Sequence, residues 1–176
     1  MQIETGSVSL ILALGSNQGE REKLIEAALK KIEERIGRIL SLSAFYYTHP
    51  VGFDSSCDFV NCTCEVASKS DIHAAFAITQ SIEKELGRVK KSEKEQYADR
   101  LIDIDLILAD DMVLDTPELT LPHPRFHQRG FVLAPLCEIA PDRIHPLLGK
   151  SIRQLHEELH GEDAVTSEKC GILAKQ

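Results

Sequence analysis

At 176 residues the chain is long enough for one domain that buries roughly two-thirds of its unfolded surface. With 43% hydrophobic and 27% charged residues it has the composition of an ordinary soluble globular protein, and no apolar run nears the ~20 residues needed to span a bilayer. A net charge of −8 speaks against a general nucleic-acid binder, so an anionic partner has to be met by a local cluster of Arg and Lys.

Met1 to Ser7 has no positive n-region, so no signal peptide is expected. Val8 to Leu14 is apolar at both alternating sets of positions, which predicts a central strand covered on both faces. Ser16 or Asn17 can cap a helix from about Glu20 to Ile36, with Leu24, Ile25, Ala28, Leu29, Ile32 and Ile36 inward and Gly37 as the stop. Ile39 to Tyr47 reads as a second strand, ending at Thr48-His49-Pro50-Val51-Gly52. Phe59 to Ala67 is a third, with Val60, Cys62, Cys64 and Val66 on one face and Phe59, Asn61, Thr63 and Glu65 on the other. Ser70 caps a second helix that turns Ile72, Phe76, Thr79, Ile82 and Leu86 inward and closes at Gly87. Leu101 to Ala109 is the fourth strand, followed by a turn at Asp110-Asp111. The order β-α-β-β-α-β predicts an α+β, ferredoxin-like core. Short helices around Val132 to Glu138 and Ser151 to His160 follow it. The expected division is one domain over 1–160 and a mobile tail over 161–176. Cys57, Cys62, Cys64, Cys137 and Cys170 are odd in number and form no Cys-x-x-Cys pair, which argues against a disulfide framework and points to a reduced, cytoplasmic protein.

The strongest chemical signal is Arg100-Leu101-Ile102-Asp103-Ile104-Asp105-Leu106. Residues two apart in a strand share a face, so Asp103 and Asp105 project together, ~6.6 Å apart along the backbone. Two bare carboxylates in an apolar strand repel one another and lose hydration. A pair of Mg²⁺ ions would relieve both costs and serve phosphoryl transfer. A polar strand face neutralised by Arg100 and a nearby Lys is the alternative that spacing leaves open. The stretch from Arg88 to Arg100 carries Arg88, Lys90, Lys91, Lys94 and Arg100 against Glu93, Glu95 and Asp99. It is a net-positive segment in a net-negative chain, suited to clamping a triphosphate or simply to solvation. With only Val89, Tyr97 and Ala98 apolar among residues 88–99, it is expected to act as a lid that orders on ligand binding. His123 and His127 have a spacing compatible with zinc, but no second ligand pair accompanies them. No Gly-x-x-x-x-Gly-Lys-Ser/Thr loop and no Gly-x-Ser-x-Gly elbow occurs.

Taken in order, Leu14-Gly15-Ser16-Asn17, Tyr47-Thr48-His49-Pro50-Val51-Gly52, Phe59-Val60-Asn61, Gly87-Arg88, Arg100 to Asp105, and Pro122-His123 with Arg129-Gly130-Phe131 resemble the hydroxymethyl-dihydropterin pyrophosphokinases of folate synthesis. The resemblance implies transfer of pyrophosphate from ATP to the hydroxymethyl group of a reduced pterin, releasing AMP. It implies that Asp103 and Asp105 hold two Mg²⁺, and that Arg88, Lys90, Arg100, His123 and Arg129 meet the ATP phosphates, with Arg88 and Arg100 catalytic. By the same resemblance Gln80, Glu83, Leu106 and Thr120 surround the nucleotide. Thr48, Val51, Phe59, Asn61, Tyr97 and Phe131 make the pterin pocket, Tyr97 by stacking. ATP and hydroxymethyl-dihydropterin are then the partners of a monomer, with no nucleic acid or membrane involved. A non-catalytic ferredoxin-like binding module and a metal-dependent phosphohydrolase are the competing readings, because that fold hosts many functions.

Overall fold

A computed structural model describes residues 6–48, 59–87, 101–159 and 168–170. The elements are β1 (Val8–Ser16), α1 (Arg21–Arg35), β2 (Gly37–Leu42), β3 (Phe45–Thr48), β4 (Phe59–Ser68), α2 (Ile72–Glu85), β5 (Asp103–Ala109), β6 (Leu114–Asp115), β7 (Thr120–Leu121), α3 (Gly130–Ile139), α4 (Ile152–Glu157) and β8 (Glu168–Cys170). The main sheet runs β5-β1-β4-β3-β8, with β2 also paired to β4, and its pairs are antiparallel. This is the ferredoxin-like arrangement that the element order predicts.

The double-sided apolar pattern of β1 has its cause in two packed layers. Leu10, Leu12 and Leu14 join Ile25, Ala28, Leu29 and Ile32 of α1 and Ala75 and Ile82 of α2. On the opposite face, Ile11, Ile107 and Leu108 meet Phe126, Val132, Leu133 and Leu136, with Ile152 and Leu155 of α4. β4 divides as its alternation predicts, since Val60, Cys62, Cys64 and Val66 all lie in the α1/α2 layer.

Three local expectations are corrected. Neither Ser16 nor Asn17 caps α1, whose N-cap is Glu20 without a side-chain cap bond. Ser16 is spent elsewhere, donating to the Leu101 carbonyl and so tying the end of β1 to the start of β5. Asp71, not Ser70, caps α2, its carboxylate accepting the His73 and Ala74 N–H groups at 3.0 Å each. The expected second strand is two strands. Ser43 interrupts it because its hydroxyl accepts the Thr63 N–H at 3.0 Å, taking a place that a backbone carbonyl would fill in a continuous ladder. Within the expected tail, residues 168–170 pair as β8 with the outer edge of β3, where the strand edge offers unpaired backbone groups. The rest of the tail and the expected lid over 88–99 lie outside the described residues.

Candidate active site

β1 is the axis of the site. Gly15 pairs with Asp103 of β5 on one side and with Asn61 of β4 on the other, while Ala13 pairs with Asp105 and Thr63. Directly opposed residues share a face, so Asp103, Asp105, Asn61 and Thr63 all project from the face opposite α1 and α2. The aspartates are each half-buried at the start of β5.

Gly15 makes this row possible. A Cβ there would stand 2.8 Å from Asn61 Oδ1. Its absence lets the buried Asn61 side chain lie across β1, while Asn61 Nδ2 donates to Thr48 Oγ1 at 3.0 Å. That bond fixes which end of the amide faces which way. Phe59 shares the Asn61 face of β4 by alternation and is paired with Thr48. From the other layer, Phe131 packs in the first turn of α3, with the Arg129 guanidinium 5.8 Å from its ring centroid.

His123 joins this group from the loop before the short 3-10 turn Phe126–Gln128. Its backbone N–H donates to the Ile107 carbonyl at 2.9 Å, which ties the loop to β5. Its Nδ1 accepts the Arg125 N–H at 3.3 Å, so the neutral ring carries its proton on Nε2. Burial, and then Arg129, push its pKa down from the ordinary 6.5 to about 4, while Asp103 pulls the other way. Asp103 and Arg129 are therefore each within electrostatic reach of His123. A depressed histidine pKa means that the unfolded chain binds the extra proton more readily, so its stabilising effect is full above the unfolded value and is lost as pH falls through the folded one. The ligand-free protein is expected to lose ~1–3 kcal/mol of stability from this group between pH 6.5 and 4. Urea unfolding of wild type and His123→Gln across that window checks it; the same pH slope in both proteins would refute it.

The residues expected to surround the nucleotide are more dispersed. Glu83 is buried and accepts the Ile104 N–H at 2.7 Å, so a carboxylate from α2 satisfies a backbone donor between the two aspartates. Gln80 lies half-buried on the same helix, and Thr120 on β7 pairs with Asp115. The Leu106 side chain is buried in the α1/α2 layer, which leaves its backbone as the part able to meet a ligand. Arg88, Lys90, Tyr97, Arg100 and Val51 lie outside the described residues. His127 turns edge-on to the His145 ring, 5.7 Å away, and no group of three His, Cys, Asp or Glu side chains suited to a metal stands among the described residues.

A pair of carboxylates is nevertheless a fitting donor set for Mg²⁺, which binds through one or two carboxylates plus substrate phosphates and keeps several waters. The contribution of Gly15 was not recognised from sequence, although a glycine inside a strand does signal close approach of another group.

The profile of the 7,8-dihydro-6-hydroxymethylpterin-pyrophosphokinase family matches residues 11–141. The chain belongs to this family. It is 46% identical over 136 residues to a 2-amino-4-hydroxy-6-hydroxymethyldihydropteridine pyrophosphokinase of Porphyromonas gingivalis, covering 77% of this chain and 92% of that one. A Bacillus subtilis protein of the same description is 35% identical over 129 residues, covering 73% and 75%. Among solved structures, a Plasmodium falciparum HPPK-DHPS superposes with a TM-score of 0.69 at 17% identity. That match covers 86% of this chain and 43% of the neighbour, and it supports the pyrophosphokinase fold alone.

Proposed function

We propose that this pyrophosphokinase transfers pyrophosphate from ATP to the hydroxymethyl group of 6-hydroxymethyl-7,8-dihydropterin, releasing AMP, as a step of folate biosynthesis. The observation that carries the seating of the two substrates is the strand register: Asp103 and Asn61 flank the same residue, Gly15. A carboxylate suited to hold Mg²⁺ and an amide suited to read a heterocycle thus stand two strand spacings apart, ~9.6 Å, a span suited to a bicyclic ring whose one-carbon arm reaches towards a metal-bound triphosphate.

Asn61, oriented by Thr48, reads the polar edge of the pterin, and Phe131 and Phe59 offer it apolar faces. Asp103 and Asp105 are the residues that would hold Mg²⁺, two ions in this reading, which when bound neutralise the charge of the triphosphate. His123, neutral and protonated on Nε2, donates to a phosphate oxygen without adding a charge that varies near neutral pH, and Arg129 adds a fixed positive charge beside it. On the resemblance alone, Arg88 and Arg100 take the developing charge on AMP, Lys90 meets ATP, and Tyr97 and Val51 close the pterin pocket. Gln80, Glu83, Thr120 and the Leu106 backbone surround the nucleotide. The pterin hydroxyl attacks the β-phosphorus, its proton passing to solvent or phosphate, and the bond to the α-phosphate oxygen breaks. Such a loose transfer depends on positioning and charge rather than on a strong base.

The domain occupies 1–160 in this proposal, with β8 of the following segment added to the edge of its sheet, and works as a monomer in the cytoplasm. Cys62, Cys64 and Cys137 are free thiols, and among the described residues no helix is long and apolar enough to cross a membrane. The test is product analysis with ATP, Mg²⁺ and hydroxymethyl-dihydropterin. AMP should form only when the pterin is present, in equal amount to pterin diphosphate. Formation of ADP, or of phosphate without pterin, would instead identify a hydrolase; no turnover would leave a binding module.

A further inference from the structure

α3 carries Phe131 in its first turn and Glu138 in its last, ~10 Å apart at 1.5 Å rise per residue. Between them, Val132, Leu133 and Leu136 bury apolar side chains against the sheet. Such contacts are non-directional and set the distance between layers better than the register. Glu138 differs from them. One of its carboxylate oxygens accepts the Tyr46 hydroxyl at 2.6 Å and the other accepts the Ala44 backbone N–H at 3.2 Å.

Both donors belong to the junction of β2 and β3. The break at Ser43 takes Ala44 out of the strand ladder, so its N–H is directed to Glu138. Tyr46 is 8% exposed, and burial, with Glu138 beside it, pushes its phenol pKa up, which keeps it a donor throughout the working pH range. Tyr46 is also the β3 partner of Asn61, and Thr48, two residues further on, receives the Asn61 amide. The clamp thus grips the strand that orients Asn61, and it does so from the helix that presents Phe131.

We infer that Glu138 is a positioning residue for pterin recognition, its two-donor clamp on Tyr46 and Ala44 setting where Phe131 stands relative to Asn61 and Thr48. The inference rests on the pterin face proposed above. His123 is tied to the Ile107 carbonyl, and the Arg129 N–H donates to the Phe126 carbonyl at 3.1 Å. His123 is thereby held from β5, and Arg129, although it is the N-cap of α3, is also tied to the 3-10 turn, so loss of the clamp bears on the pterin more than on ATP.

Steady-state kinetics of the full chain with Glu138→Gln, Tyr46→Phe and Phe131→Ala tests this, with melting temperatures measured alongside. The amide keeps the shape of Glu138 but replaces one acceptor with a donor that faces donors. The expected result is a KM for hydroxymethyl-dihydropterin raised roughly tenfold by Glu138→Gln and about threefold by Tyr46→Phe, with KM for ATP changed less than about twofold. In a Phe131→Ala background, Glu138→Gln should add little more. If Phe131→Ala itself leaves the pterin KM unchanged, the pterin face is misplaced and the inference goes with it. If Phe131→Ala raises that KM and the two clamp variants do not, or if they raise both KM values alike or lower only the melting temperature, the positioning role is overturned. Tyr46→Phe decides the matter should Glu138→Gln fail to fold.

Discussion

Asp103→Ala and Asp105→Ala are each expected to slow pyrophosphate transfer by at least ~10²-fold while melting close to the wild type. The reasoning starts from the strand. Its alternate residues Ile104 and Leu106 are buried in the α1/α2 layer, so β5 is anchored by side chains that these substitutions do not touch. The aspartates occupy the other face and are only half-buried, so truncation opens no core cavity. It also relieves repulsion between neighbouring carboxylates. What disappears is a hard oxygen donor, which for Asp103 lies within electrostatic reach of His123, and under the proposed function that donor serves to compensate triphosphate charge. Binding of the ATP–Mg²⁺ complex should weaken in parallel, and Asp103→Asn, which keeps the shape but not the charge, should be nearly as impaired. Near-normal turnover in either alanine variant would remove these residues from the phosphate chemistry.

Gly15→Ala is expected to weaken pterin binding by roughly tenfold or more, with little effect on ATP. The new methyl carbon would sit 2.8 Å from Asn61 Oδ1. Asn61 is 6% exposed and its Nδ2 is bonded to Thr48, so the amide has to give up that bond or turn away from the pocket. Either movement withdraws a donor and an acceptor from the heterocycle, at about 1–3 kcal/mol when such groups are left unpaired. Calorimetry with pterin on Gly15→Ala, Asn61→Ala and the double variant separates this from a general disturbance of β1. The glycine substitution should cost far less once Asn61 has been truncated. An equal cost in both backgrounds would mean that the slot over Gly15 has no bearing on the pterin.

Much of this arrangement is legible in the sequence alone. Continuous apolar character from Val8 to Leu14 announced a strand buried on both faces, because only such a strand excludes polar residues from both alternating sets. The 3.6-residue spacing of Ile25, Ala28, Leu29 and Ile32 announced α1 for the same kind of reason. The two-residue spacing of Asp103 and Asp105 placed them on one face without any tertiary information. These are properties of neighbours in sequence, and backbone geometry alone converts them into direction.

Properties that depend on residues far apart in the chain could not be read in this way. Whether Ser16 caps a helix or ties down Leu101, 85 residues away, is decided by which carbonyl the fold brings within reach. Ser43 divides a strand because Thr63 happens to lie opposite it. Asn61 and Asp103 become neighbours only through the register of β1, in which Gly15 is shared by two strands. Glu138 finds Tyr46 92 residues away across a helix–sheet interface. Local pattern thus determined which elements form and which side chains face together. The partners of the polar groups were decided by packing, since a buried hydroxyl, amide or carboxylate must be satisfied by whatever donor or acceptor the assembled layers supply.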